Sequence, residues 1–356
     1  MTSLLSLPRE MQLHILSLLP MRELLRLSHT CHSLKDLAKD PSVWRRLILS
    51  YKKIKNNTKA CREKVARCSK LRELIIIHQE DKPQSDKVLS VVMKAKSTLT
   101  TLSIRKIKLC NSSFKKISKL TQLTKLAINV YRIKADGLSD LKNLTKLRSL
   151  EIRELYDRVY GEILVVIKDV VDFFSSLNQL EEVKLIESWT VVKDKVIESL
   201  VENNPKLHHL EINMLGLEEQ PSLIIFECQT KLTSMGLNYL AENCPQLTHI
   251  DIGNSLNVFK DSDIFRLSSK CSKLKYVNLE NTRLGDAVLR SLAHDCPGLE
   301  HLVVSGCSEI TEMGIKEFLD TASQAKFKRL DIRDCDFGEL FVTILQVEHP
   351  LVKIVD

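Results

Sequence analysis

The sequence predicts an α/β solenoid, a horseshoe of parallel strands with outer helices, preceded by a small all-α head. Three observations predict it. A six-residue phrase, Leu-x-x-Leu-x-Leu/Ile, recurs ten times between residues 71 and 332, and an eleventh copy begins at Leu351. Between phrases the apolar period switches from two to the spacing of a helix. The first 50 residues do not follow the repeat.

The head comes first. Ser6 can cap a helix with Pro8 in its first turn and Glu10 shortly after. Met11, Ile15 and Leu18 then share a face, and Pro20 ends the helix. Leu24, Leu27, Cys31, Leu34 and Leu37 make a second apolar stripe, and Asp40-Pro41-Ser42-Val43-Trp44 closes the segment. About 40 residues of helix bury too little surface to stand alone, so the leftover apolar residues call for a partner. Residues 51–70 are basic and read as a helical linker and solenoid cap.

Residues 71–356 carry the repeat. Its copies start at Leu71, Leu99, Leu123, Leu147, Leu180, Leu207, Leu247, Leu274, Leu299 and Phe327. Within each, apolar and polar residues alternate, as a half-buried strand requires. Four linkers align without gaps: 232–244, 259–271, 284–296 and 310–322. In the third, Leu284, Leu289, Leu292 and Cys296 fall on one helical face. One repeat cannot bury its own edges, so the repeats must stack. Two linkers carry extra residues, near 156–175 and 213–231.

Composition narrows the function. Aromatics are only 5 %, so the core is aliphatic. The ten cysteines form no CxxC or CxxH pair, and the opening residues lack a basic n-region. Reduced cysteines and an intracellular protein, cytoplasmic or nuclear, are therefore expected, with no membrane partner. Residues 1–150 hold 32 Lys/Arg against 11 Asp/Glu, while residues 151–356 hold 21 against 34. That asymmetry points to an acidic partner near the first half, or to a solvated basic surface. No GxSxG, HExxH, Walker or GxGxxG motif occurs, so no enzyme and no cofactor or metal is expected. Nucleic acid is not expected either, because aromatics are sparse among the early basic residues.

The phrase, with Cys68, Cys244, Cys271 and Cys296 three residues before strand leucines and Cys307 and Cys335 in the turn after the strand, resembles the cysteine-containing subclass of leucine-rich repeats. The head is similar to an F-box. Leu7-Pro8-Arg9-Glu10-Met11, Ile15-Leu16-Ser17, Glu23-Leu24-Leu25-Arg26-Leu27 and Asp40-Pro41-x-Val43-Trp44 carry the resemblance. It departs at Leu34, where that family usually has Trp, and at Thr30, where Val is common. The resemblance implies an adaptor-binding segment over residues 1–50. Leu7, Pro8, Glu10, Ile15, Leu16, Leu24, Leu25 and Trp44 would grip a Skp-type adaptor and, through it, a cullin scaffold. It implies a non-catalytic substrate-recognition subunit of an SCF-type (Skp–cullin–F-box) E3 ubiquitin ligase, which acts by proximity. The other reading is a repeat scaffold without ubiquitin chemistry.

Between the strand leucines, the third, fifth and seventh residues of each phrase face the concave side. Neighbouring strands lie about 4.8 Å apart. His209, His249, Tyr276 and His301 would then stack as a ladder beside Glu211, Asp251, Asn278, Asp331 and Arg333. This strip is expected to take a basic, polar segment of a protein substrate. It also reads as a plain solvated sheet face. His209, His249 and the two acids are, in addition, residue types that zinc accepts.

Overall fold

The structure, a computed structural model, describes residues 4–19, 21–78, 86–109, 111–130, 135–155, 158–159, 162–163, 167–186, 188, 191–213, 232–254, 258–322 and 326–356. The chain divides into two compact units: Met1–Val130 with Asp140–Leu147, and Tyr131–Ser139 with Arg148–Asp356. Both are built from one strand–helix turn, and the fold is an α/β leucine-rich-repeat solenoid.

In the first unit, the head consists of helices α1 (Arg9–Leu16), α2 (Met21–Leu27) and α3 (His32–Lys39). Leu16, Leu24, Leu37 and Val43 form its core, and Leu4, Leu13, Leu19, Leu27, Leu34 and Trp44 pack against it. Leu34 therefore fills a core-flanking place at the position where the F-box pattern has a larger ring. Ser6 does not cap α1. It ends a short 3₁₀ turn, Leu4–Ser6, and Pro8 takes the cap position instead. The second stripe is split at Cys31, which caps α3 in extended backbone.

Strands β1 (Arg46–Ser50), β2 (Glu73–Ile77), β3 (Thr101–Leu109) and β4 (Lys125–Val130) then pair in parallel, in chain order. The ladder thus begins at Arg46, one turn earlier than the phrase count implies. The register sets Leu47 beside Leu74 and Leu49 beside Ile76. Trp44 therefore stands three residues before a strand leucine, where the other copies have Leu71 or Leu99. The bulky ring disguised this first copy. Residues 51–70 are accordingly no linker: helices Tyr51–Asn56 and Thr58–Arg67 are the helical side of the first turn.

In the second unit, β5 (Ser149–Arg153) is followed by a two-stranded antiparallel pair, β6 (Arg158–Val159) and β7 (Glu162–Ile163). The ladder continues through β8 (Glu182–Ile186), β9 (His209–Asn213), β10 (His249–Asp251), β11 (Tyr276–Asn278), β12 (His301–Val303), β13 (Arg329–Asp331) and β14 (Lys353–Val355). The extra residues near 156–175 supply that pair and helix Ile167–Ser176, which buries Val170, Phe173 and Phe174. The insertion from 214 to 231 lies outside the described residues.

Two devices repeat. The four aligned linkers form helices Ser234–Asn243, Asp261–Lys270, Asp286–Asp295 and Glu312–Thr321, ending on Cys244, Cys271, Cys296 and Ala322. A small residue is required there because the chain turns inward to the next strand. Burial pushes the three thiols up to about 12, so they stay protonated. Second, the eighth residue of six phrases takes left-handed backbone, at Lys106, Glu154, Asn254, Asn281, Gly306 and Asp334. Past β11 and β12, the Asn281 and Gly306 amides bond the Ser305 and Arg333 carbonyls of the next repeat at 2.8 Å.

Candidate functional site

On the second unit, the side chains between the buried strand leucines build a continuous polar strip. The register places His209 beside His249, His249 beside Tyr276, and Tyr276 beside His301. His209 and His249 stack with centroids 4.9 Å apart and planes 18° from parallel. Tyr276 continues the stack at 6.0 Å and 18°, and His301 follows at 6.3 Å, tilted by 59°. A depression of about 260 Å³ opens here, lined by Lys184, His209, Glu211, His249, Asp251 and Tyr276 among others.

The electrostatics differ from the expected acidic strip. Glu211 is neutralised within the protein: His209 at 3.8 Å and the closer Lys184 hold its carboxyl down to about 2. Burial lifts Asp251 to about 6, against the Gly253 amide and Asn278 that hydrogen-bond it. Burial also pushes His249 below its ordinary range, helped by His209, and lifts Tyr276 to about 12. The Thr248 hydroxyl bonds the His249 Nδ1 at 2.8 Å and orients that ring. Burial thus favours the neutral forms of His249 and Tyr276.

Three of the expected contact residues lie buried. Asp251, Asn278 and Asp331 are buried, because each carboxyl or amide oxygen serves the turn at its own strand end. Asp251 accepts from the Gly253 amide at 3.1 Å and Asn278 from the Glu280 amide at 2.9 Å. Asp331 takes Arg333 Nε at 2.8 Å; burial raises its carboxyl, but Arg333 and Arg329 outweigh that and hold it low. These residues shape the sheet edge and are spent on it. His209, Glu211, His249, Tyr276 and His301 stay half-buried on the open face, and Arg333 is exposed.

The head offers a second surface. Leu16 and Leu24, at 0 % and 2 % exposure, form the head's own core. Trp44 and Leu7 are half-buried, as is Ile15. Pro8, Glu10 and Leu25 are exposed, with Leu25 at 45 %, and Leu5, Met11 and Leu18 join them. Two polar residues hold this surface, and the apolar pattern did not single them out. The Gln12 amide, buried under the first turn, donates to the Leu5 carbonyl at 3.1 Å and the Leu7 carbonyl at 2.7 Å. Asp40 accepts from the Ser42 amide at 3.0 Å, which lowers its pKa, and pairs with Arg9 at 3.2 Å.

The F-box-like family matches residues 4–50. The chain joins this F-box-like segment to a leucine-rich-repeat solenoid. Among solved structures, a chain of the yeast Rad7–Elc1 complex superposes with a TM-score of 0.65 at 14 % identity, covering 98 % of this chain and 87 % of that one. An internalin from Listeria monocytogenes superposes with a TM-score of 0.47 at 13 % identity, covering 94 % of each chain. Among the described residues of this F-box-like protein, no helix is long and apolar enough to cross a membrane. Among the same residues, no three His, Cys, Asp or Glu side chains come together as a metal site.

Proposed function

We propose that this protein is the substrate-recognition subunit of an SCF-type ubiquitin ligase, non-catalytic itself and acting in the cytoplasm or nucleus. The F-box-like head docks a Skp-type adaptor and thereby a cullin scaffold. The His209–His301 strip holds a protein substrate near the ubiquitin-transfer enzyme, so the contribution to rate is proximity. One observation carries this reading: the F-box-like segment keeps an apolar surface of Pro8, Met11, Leu18 and Leu25 outside its own core. Exposed leucines on short helices suit an apolar groove. The likeness in fold to a chain crystallised in the Rad7–Elc1 complex supports a role in a multiprotein assembly.

The test is capture of a purified Skp-type adaptor by the full chain and by Leu25→Arg with Met11→Arg. Both changes sit on the surface, so stability should shift by no more than about 0.5 kcal/mol while capture is lost. Undiminished capture by this folded variant sinks the ligase reading and favours a scaffold. Point changes are preferable to removing the head, because Val43 and Trp44 pack on its core and β1 begins two residues later.

A further inference from the structure

The first unit also presents an open sheet face, and its chemistry is unlike that of the histidine strip. Across β1 to β4 the fifth-position column reads, in register, Ile48, Ile75, Ser103 and Ala127. Ile48 is 41 % exposed, and Ile77, two residues beyond Ile75, is 39 % exposed. Aliphatic β-branched side chains lying together on a solvent-facing sheet form a patch that favours burial. In the middle of the column the Ser103 hydroxyl is buried, at 7 % exposure for the residue, and its oxygen has no hydrogen-bond partner. Buried hydroxyls are nearly always satisfied, so an orphan at the floor of an apolar patch points to a group supplied from outside.

The rim is cationic. Arg46, Lys125 and Arg105 are exposed along the flanking columns. Among the described residues of the three columns, Glu73 is the one acid, and it is tied to Arg46 at 3.3 Å. No aromatic ring stands in these columns, so the face lacks the stacking platform that single-stranded nucleic acid uses. A peptide lying across the parallel strands can set aliphatic side chains on the isoleucines and acidic ones on the flanking basic columns.

We propose that this face binds an extended protein segment that carries both aliphatic residues and Asp or Glu. The aliphatic side chains cover Ile48, Ile75 and Ile77, a polar group of the segment reaches Ser103, and the acids lie against the basic rim. The site is separate from both the head surface and the histidine strip. It therefore goes beyond the ligase reading and stands or falls without it.

The experiment is fluorescence anisotropy of the full chain, without adaptor, against a labelled peptide built of Val, Leu, Asp and Glu. Its comparators are the same peptide with Lys in place of the acids and a single-stranded oligouridylate. The acidic peptide should bind at least about tenfold more tightly than either. Ile48→Thr with Ile77→Thr should weaken it about tenfold or more, whereas His249→Ala should leave it unchanged. Thr keeps the β-branching, and if the double variant loses its thermal transition, Ile48→Thr alone carries the comparison. No measurable binding, equal affinity for the Lys peptide, tighter binding of the oligouridylate, or full affinity in the folded Thr variant each overturns the proposal.

Discussion

In the first unit β1 and β2 run for five residues, while β10, β11 and β13 of the second unit run for three. In β10, β11 and β13 the fifth residue of the phrase contributes to the difference, although β12 also runs for three residues with Val303 in that place. Ile48 and Ile75 have nothing to offer the backbone, so pairing continues. Asp251 and Asn278 each turn an oxygen onto the amide two residues on, and the chain leaves the ladder. The same choice sets the surface chemistry. A strand that ends on an Asx turn spends its polar side chain, leaving the third-position rings as the exposed feature. In β1 and β2, which run on, the fifth place exposes aliphatics, whereas the equally long β8 and β9 carry Lys184 and Glu211 there. One repeat thus gives a ring-edged polar strip in one unit and an apolar, base-rimmed face in the other.

The largest effect should come from the contacts that tie the second unit's helices to one another. Asp286 accepts from the Thr311 amide at 2.8 Å and from the Thr311 hydroxyl at 2.7 Å. Asp194 does the same for Thr233, one of the preceding turns. The approach is so close that a Cβ at Gly314 would lie 2.0 Å from Asp286 Oδ1. Gly314→Ala should therefore cost about 2–3 kcal/mol in urea unfolding, although alanine is the better helix former. Adding Asp286→Ala should recover part of that loss. Strict additivity of the two changes would show that the acid is not what demands glycine there.

The Asx turns supply the next effect, through pH. Asp251 titrates at about 6 instead of 3.8, so between those values the native protein holds a proton that the unfolded chain has released. The associated stability is present at lower pH and is lost as pH rises through about 6. Asp251→Asn keeps the oxygen that the Gly253 amide needs, as Asn278 already does one turn on. It should stabilise the protein at neutral pH by on the order of 1–3 kcal/mol and do little near pH 4. Glu211 works the other way: its stability is present above about 4.5 and lost as pH falls toward about 2. An equal rise in melting temperature for Asp251→Asn at both pH values would show that the buried charge is not the cause.

Periodicity made most of this legible. The strand leucines, the helical linkers and the ring ladder all follow from counting, because parallel in-register strands place equivalent positions side by side. Three things escaped the count. Trp44 hid the first copy, since a ring in the leading place looks like the end of the head. Leu16 and Leu24 read as surface because the F-box pattern does not separate residues that face a partner from those that face each other. Asp251, Asn278 and Asp331 read as ligand contacts because alternation says which side a residue faces, not whether the turn two residues later will claim it. The signal was present: Asp or Asn at the fifth place, followed by a left-handed residue at the eighth, is a strand-ending pattern.

The smallest effect concerns the ninth place of the phrase, where the units again differ. The first unit has Ile107 there, fully buried. The second has Cys307, whose thiol donates to the Leu279 carbonyl of the preceding turn at 3.1 Å. Cys335 repeats the contact to Val304 at 3.3 Å. Burial keeps the Cys307 thiol protonated, so it can act as a donor. Cys307→Val imports the aliphatic solution of the first unit while leaving the Leu279 carbonyl without this donor. It should cost about 0.5–1.5 kcal/mol, the value of one modest hydrogen bond partly offset by apolar burial. Cys307→Ser keeps a donor and should fall between the two. A neutral or stabilising valine would mean that the cysteine is held for its size alone, and that the two units end their turns by packing rather than by different hydrogen bonds.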